Sequence, residues 1–122
     1  MLNILSVGLG GCIGAVCRYL IGLLPMNETT SFPIKTFGIN VIGCILIGVI
    51  TVVAAKNSSL NPHVLLFLKV GLCGGFTTFS TFALETVDLM KNGNVMMAFL
   101  YVLGSVLVGV GVIFAVEYFT MK

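Results

Sequence analysis

The chain has 122 residues, 58% of them hydrophobic and only 8% charged, with a net charge of +2. Soluble domains carry about a quarter charged residues, so this composition, with a mean hydropathy of +1.17, reads as an integral membrane protein in contact with lipid. The small net charge and the lack of a basic cluster exclude a nucleic-acid partner.

The N-terminal MLNILSVGLG has no basic flank, and its apolar run continues beyond a signal core, so no cleaved leader is expected. Four runs, at about 2–24, 36–55, 64–90 and 95–119, each approach the roughly 20 apolar residues that a helix needs to cross a bilayer. Polar connections separate them: PMNETTSFPIK, bounded by two prolines, then KNSSLNPH, then KNGN. β-Barrel strands would be shorter and would alternate in polarity, and these runs do neither. The expected fold is one all-α membrane domain over the whole chain.

Small residues recur along the spans. Gly10 and Gly14 stand four apart, as do Ser105 and Gly109, while Gly38, Gly43 and Gly48 repeat every five. Such spacings let helix backbones approach closely in lipid and imply a compact bundle. Cys12, Cys17, Cys44 and Cys73 all lie in apolar runs without a CxxC pair. They read as small packing residues rather than a metal site or disulfide framework.

With four spans, Lys56, Lys69 and Lys122 fall on one side of the membrane and Arg18, Lys35 and Lys91 on the other. The rule that positive loops stay inside therefore sets no orientation. Such a chain can insert both ways up and assemble as an antiparallel dimer, in the manner of inverted transporter repeats.

The third span contains GGFTTFSTF, residues 74–82. Adjacent glycines weaken a helix, and the hydroxyls that follow can satisfy freed backbone groups, so a break is expected near Gly74 to Thr78. One reading is a kink for packing. The other is a lined path, because irregular backbone at membrane depth belongs where it is buried or borders a wet cavity. Carbonyls at a break can hold a cation, and amides can face an anion. Phe79 and Phe82 share a helical face, and the positive edges of their rings suit an anion.

Asn40, in FGINVIGC, either fastens neighbouring helices or donates to a permeating anion. Tyr101 and Ser105, four apart, both present hydroxyls on one face of the fourth span. Arg18 either snorkels to the interface or forms a cationic vestibule, and Glu85 is a carboxylate within the third span. His63, in a loop beside Pro62, has no assigned role.

The segments GGCIGAVCRY, FGINVIGCILIG and GLCGGFTTFSTFALE resemble the CrcB/Fluc family of fluoride channels, and with the four-span layout the resemblance covers nearly the whole chain. It implies an antiparallel dual-topology homodimer in the cell inner (plasma) membrane, with two fluoride pores and a structural sodium ion (Na+) at the dimer centre. On this sequence the sodium carbonyls become those of Gly74 and Thr77. The fluoride-binding phenylalanines become Phe79 and Phe82, and the pore asparagine becomes Asn40. Pore hydroxyls fall on Ser80, Thr81, Tyr101 and Ser105, with Arg18 near the vestibule and Glu85 after the motif.

A small multidrug exporter also has four spans and dual topology. Coupled exchange there needs a carboxylate in the first span, and residues 1–24 hold none. A membrane subunit that only helps a complex assemble needs no lined path. An enzyme is not expected, since no nucleophile–base pair or metal-ligand cluster stands out.

Overall fold

The computed structural model describes residues 1–26, 29 and 31–122. Three residues of the first predicted loop, Asn27, Glu28 and Thr30, lie outside the described residues. Among the described residues every regular element is helical. Four spans are long and apolar enough to cross a membrane: Leu2–Gly22, Ile34–Lys56, Pro62–Lys91 and Val95–Thr120. The chain is therefore a multi-pass membrane protein.

The third span is bent and made of two helices. We label Leu2–Gly22 α1, Ile34–Lys56 α2, the run 62–76 α3, Phe79–Lys91 α4 and Val95–Thr120 α5. α3 begins where the Asn61 side chain accepts from the His63 amide at 2.9 Å, with Pro62 at the first helical position. Its middle, Leu66–Cys73, is wound as a π-helix, and Gly74–Phe76 returns to α geometry. Lys69 lies inside the third span, as the predicted run 64–90 has it, toward the end that follows the second loop.

The break falls at the C-terminal end of the expected range, Gly74 to Thr78. Gly74 keeps helical angles of φ −64° and ψ −38°. The extended residues are Thr77 and Thr78, at ψ 159° and ψ 119°. The side chains after the glycines impose the break, by competing for backbone groups. α4 then ends on Gly93 at φ +82°, where the Asn94 amide donates to the Leu89 carbonyl at 2.8 Å and that of Gly93 to Met90 at 3.1 Å. This cap closes the KNGN turn.

Glycines set how the helices meet. α1 lies against α3 along two interleaved pairs, Gly10 with Gly14 and Gly71 with Gly75. A Cβ on Gly71 would stand 2.7 Å from the Val7 carbonyl oxygen and 2.9 Å from the Gly10 Cα, and one on Gly75 would run into the backbone of Gly11. A Cβ on Gly14 would stand 2.7 Å from the Phe76 amide nitrogen. Backbone meets backbone here, so neither side can yield. In α2, Gly43 receives the Thr77 methyl and Gly48 faces Val116 at 3.3 Å, whereas Gly38 faces nothing within 4 Å. The repeat of five thus marks two contacts rather than three.

α2 packs along α5, and α4 on α5. A small buried cluster of Leu89, Ala98 and Tyr101 joins the last pair, with Phe32, Phe37 and Phe82 packed around it. Most other large apolar side chains are exposed, as lipid-facing surfaces require.

Gly71→Ala and Gly75→Ala should each destabilise the protein by about 1–3 kcal/mol, the usual cost of overpacking. Gly8→Ala on α1, with nothing within 4 Å, should be neutral or stabilising. Thermal unfolding in detergent checks the contrast.

Candidate functional site

The break is held by one side chain. Asn40 projects from α2, and its Nδ2 donates to the Thr78 carbonyl at 3.2 Å while the Thr78 amide donates to Oδ1 at 2.9 Å. A single amide thereby satisfies both backbone groups of the most extended residue in the span. Of the two readings of Asn40, the fastening one describes this contact. Its second Nδ2 hydrogen stays free of the Thr78 carbonyl.

That pairing redistributes the remaining backbone groups. In an unbroken helix the Thr78 amide would donate to the Gly74 carbonyl and the Thr81 amide to that of Thr77. Here the first goes to Asn40 and the second to the Thr78 hydroxyl at 3.2 Å. The carbonyls of Gly74 and Thr77 are left without their helical donors. The Thr77 side chain is locked, with its hydroxyl on the Cys73 carbonyl at 2.9 Å and its methyl against Gly43. The neighbouring Gly75 carbonyl is taken by Arg18 Nε at 3.2 Å. Arg18 thus caps the carbonyl end of α3, where a cation is favoured by the helix dipole. Across the break, the positive N-terminal end of α4 starts at Phe79.

A cavity of about 440 Å³ opens beside the break. Asn40, Gly74, Thr77, Phe79, Phe82 and Ser105 all line it, with Thr78 between them. Phe82 leans on Tyr101 with ring centroids 5.0 Å apart at 60°. Phe79, 5.8 Å from Phe82, is 80% exposed and reaches outward. The Ser105 hydroxyl is buried without a hydrogen-bond partner among the described residues. Spare donors and ring edges therefore share one space.

Other expected residues lie elsewhere. The Thr81 hydroxyl accepts from Thr78 Oγ1 at 3.1 Å, and Ser80 sits 3.5 Å from that same hydroxyl, but neither forms part of the cavity wall. Tyr101 is fully buried and its hydroxyl donates to Glu85 Oε2 at 2.8 Å, so it does not share a cavity with Ser105. Thr36 donates to the other Glu85 oxygen at 2.7 Å. Glu85 and Thr36 border a second, smaller cavity of about 240 Å³ with Phe32 and Lys35.

Thr36, Thr78 and Lys69 were missed as site residues. Thr36 carried a readable signal, since Thr36, Asn40 and Gly43 follow helical spacing on α2. Among the described residues no group of three His, Cys, Asp or Glu side chains could hold a metal.

Residues 5–116 match the family described as CrcB-like protein, Camphor Resistance (CrcB). The chain belongs to the CrcB-like family. A relative from Chlorobaculum tepidum is 45% identical over 94% of this chain and 91% of its own length. One from Phocaeicola vulgatus is 44% identical over 90% of this chain and 91% of its own, and one from Oceanobacillus iheyensis is 46% identical over 91% and 85%. All three are named fluoride-specific ion channel FluC, the name of a channel and not of an enzyme.

Replacing Asn40 tests the clamp. Asn40→Ala leaves the half-buried amide and carbonyl of Thr78 unpaired, at up to about 1–3 kcal/mol each. Asn40→Asp should cost more, because a carboxylate oxygen would then face the Thr78 carbonyl. Unfolding in detergent should show both losses in that order.

Proposed function

We propose that this chain is a fluoride-selective passive channel that releases cytoplasmic fluoride through the cell inner membrane. The observation that carries the reading is the cavity beside the break. There, among the described residues, the Asn40 amide, the Ser105 hydroxyl without a hydrogen-bond partner and the rings of Phe79 and Phe82 meet without a carboxylate. Fluoride is small and strongly hydrated. A pore must replace its water shell with donors, and these groups offer amide, hydroxyl and ring-edge hydrogens. The names of the relatives point the same way.

In this reading Phe79, Phe82, Asn40 and Ser105 contact the ion. Tyr101 backs Phe82, and Thr81 and Ser80 support Thr78. Glu85, at the second cavity, marks the next stretch of the path, while Arg18 borders the vestibule as it caps α3. Export needs no energy source, because hydrogen fluoride enters a cell neutral and dissociates inside.

The working unit is an antiparallel homodimer with two pores. Its support is the even charge distribution, the exposed ring of Phe79 and the open side of Gly74, where an added Cβ meets nothing within 4 Å. Sodium fits between the copies. The carbonyls of Gly74 and Thr77 from each copy would hold it, and unwound backbone carbonyls are the ligands such ions take in membranes. Bound there, it would supply a fixed positive charge that joins the subunits.

Efflux from liposomes containing only this protein is the test. Wild type should release fluoride and retain chloride. Phe79→Ile, Phe82→Ile and Asn40→Asp should each lower the rate by about tenfold or more, the size of effect expected when one well-placed anion contact of about 1.4 kcal/mol is lost. Thorough sodium removal should abolish flux and dissociate the dimer. No fluoride release from wild type would overturn the reading.

A further inference from the structure

Among the described residues, Lys69 is the one charged side chain on the wall of the larger cavity. It sits within the π-helical stretch Leu66–Cys73. In a π-helix the backbone bonds run from i to i+5 and each turn takes more residues than in an α-helix, so a residue and those four and five positions on lie near one face. The winding brings Lys69 onto the same wall as Gly74. Among the described residues no hydrogen bond or ion pair engages its ammonium group. A lysine within a span either snorkels to the headgroups or serves a polar path.

The surroundings favour the path. The Asn40 amide, the Ser105 hydroxyl, without a partner among the described residues, and the two phenylalanine rings share this wall with Gly74, Thr77 and Thr78. The first four offer donor hydrogens and positive ring edges, and among the described residues the wall holds no carboxylate to pair with Lys69. Glu85, the carboxylate on the neighbouring helix, is held by Thr36 and Tyr101 at the other cavity.

We propose that Lys69 is an electrostatic attractor for the permeating anion, raising its concentration at the entrance to the cavity. The proposal rests on the fluoride reading. Lys69 works by charge and not by coordination, so its contribution must be screened by salt and kept by arginine. The π-helical winding is the device that aims it.

The experiment measures initial fluoride efflux from proteoliposomes at fluoride well below saturation, with an impermeant background salt. At about 0.01 M salt the screening length is roughly 30 Å and at 1 M about 3 Å. Lys69→Gln should conduct about three- to tenfold more slowly than wild type at low salt, in the lower range of electrostatic steering effects. The gap should close to within about twofold at high salt. Lys69→Arg should match wild type, and Lys69→Glu should be slower still. Equal rates for wild type and Lys69→Gln at low salt would overturn the proposal, as would a loss of the same size at both salt levels. A loss that appears only with anionic lipid would assign Lys69 to the headgroups instead. If Lys69→Gln fails to assemble, wild type alone decides: its flux must fall as salt rises. A wild type that conducts without these effects refutes only the role of Lys69, whereas a wild type that does not conduct refutes the fluoride reading.

Discussion

The reciprocal pairing of Asn40 with the backbone of Thr78 is the constraint on which the rest of the site depends. A helix interrupted at membrane depth exposes amides and carbonyls that lipid cannot satisfy. One asparagine on the adjacent helix takes an amide and a carbonyl from the same residue. The interruption is then stable enough to be used. Because the Thr78 amide is diverted, Gly74 loses its helical donor. Because the Thr78 hydroxyl caps α4, Thr77 loses its own. The same few bonds produce a cation-favouring carbonyl end and an anion-favouring helix start, on opposite sides of one break.

The glycine contacts between α1 and α3 hold that arrangement in register. Lipid gives helices no hydrophobic reason to associate, so close packing and hydrogen bonds must do it. Gly71 and Gly75 let α1 come within backbone contact of α3, and Gly43 makes the notch that fixes Thr77. Arg18 reaches the Gly75 carbonyl from α1, so the first helix both packs against the broken span and caps it. Gly74 stands apart from its neighbours, being free of contact. The open space beside it belongs to the cavity that it lines with Asn40 and Thr77.

Much of the fold was legible in the sequence. The four spans followed from hydropathy and length, and the bend in the third from GGFTTFSTF. Its place within residues 74–78 did not, because two glycines in α geometry look the same in sequence as two glycines at a break. What decides is the competition of Thr77 and Thr78 for backbone groups, and that depends on Asn40 on another helix. The π-helical winding was equally hidden. No residue pattern in LFLKVGLC signals it, so Lys69 read only as a charge near the end of the third span. The grouping of Asn40, Phe79, Phe82 and Ser105 on one cavity was expected only through the family resemblance, since spacing alone left Asn40 between two readings. The separation of Tyr101 from Ser105 did not, because spacing on one helix says nothing of which neighbour claims a hydroxyl. Glu85 claims that of Tyr101.

The central claim is that the amide holding the break also faces the ion. It is tested most directly by nuclear magnetic resonance of the side-chain amide of Asn40 in dimers labelled with ¹⁵N-asparagine, assigned by its loss in Asn40→Ser. Fluoride addition should shift one Asn40 amide proton, the one not committed to Thr78, and leave chloride-treated samples unchanged. An Asn40 amide that is indifferent to fluoride while the protein conducts it would contradict the account and reduce Asn40 to a clamp alone.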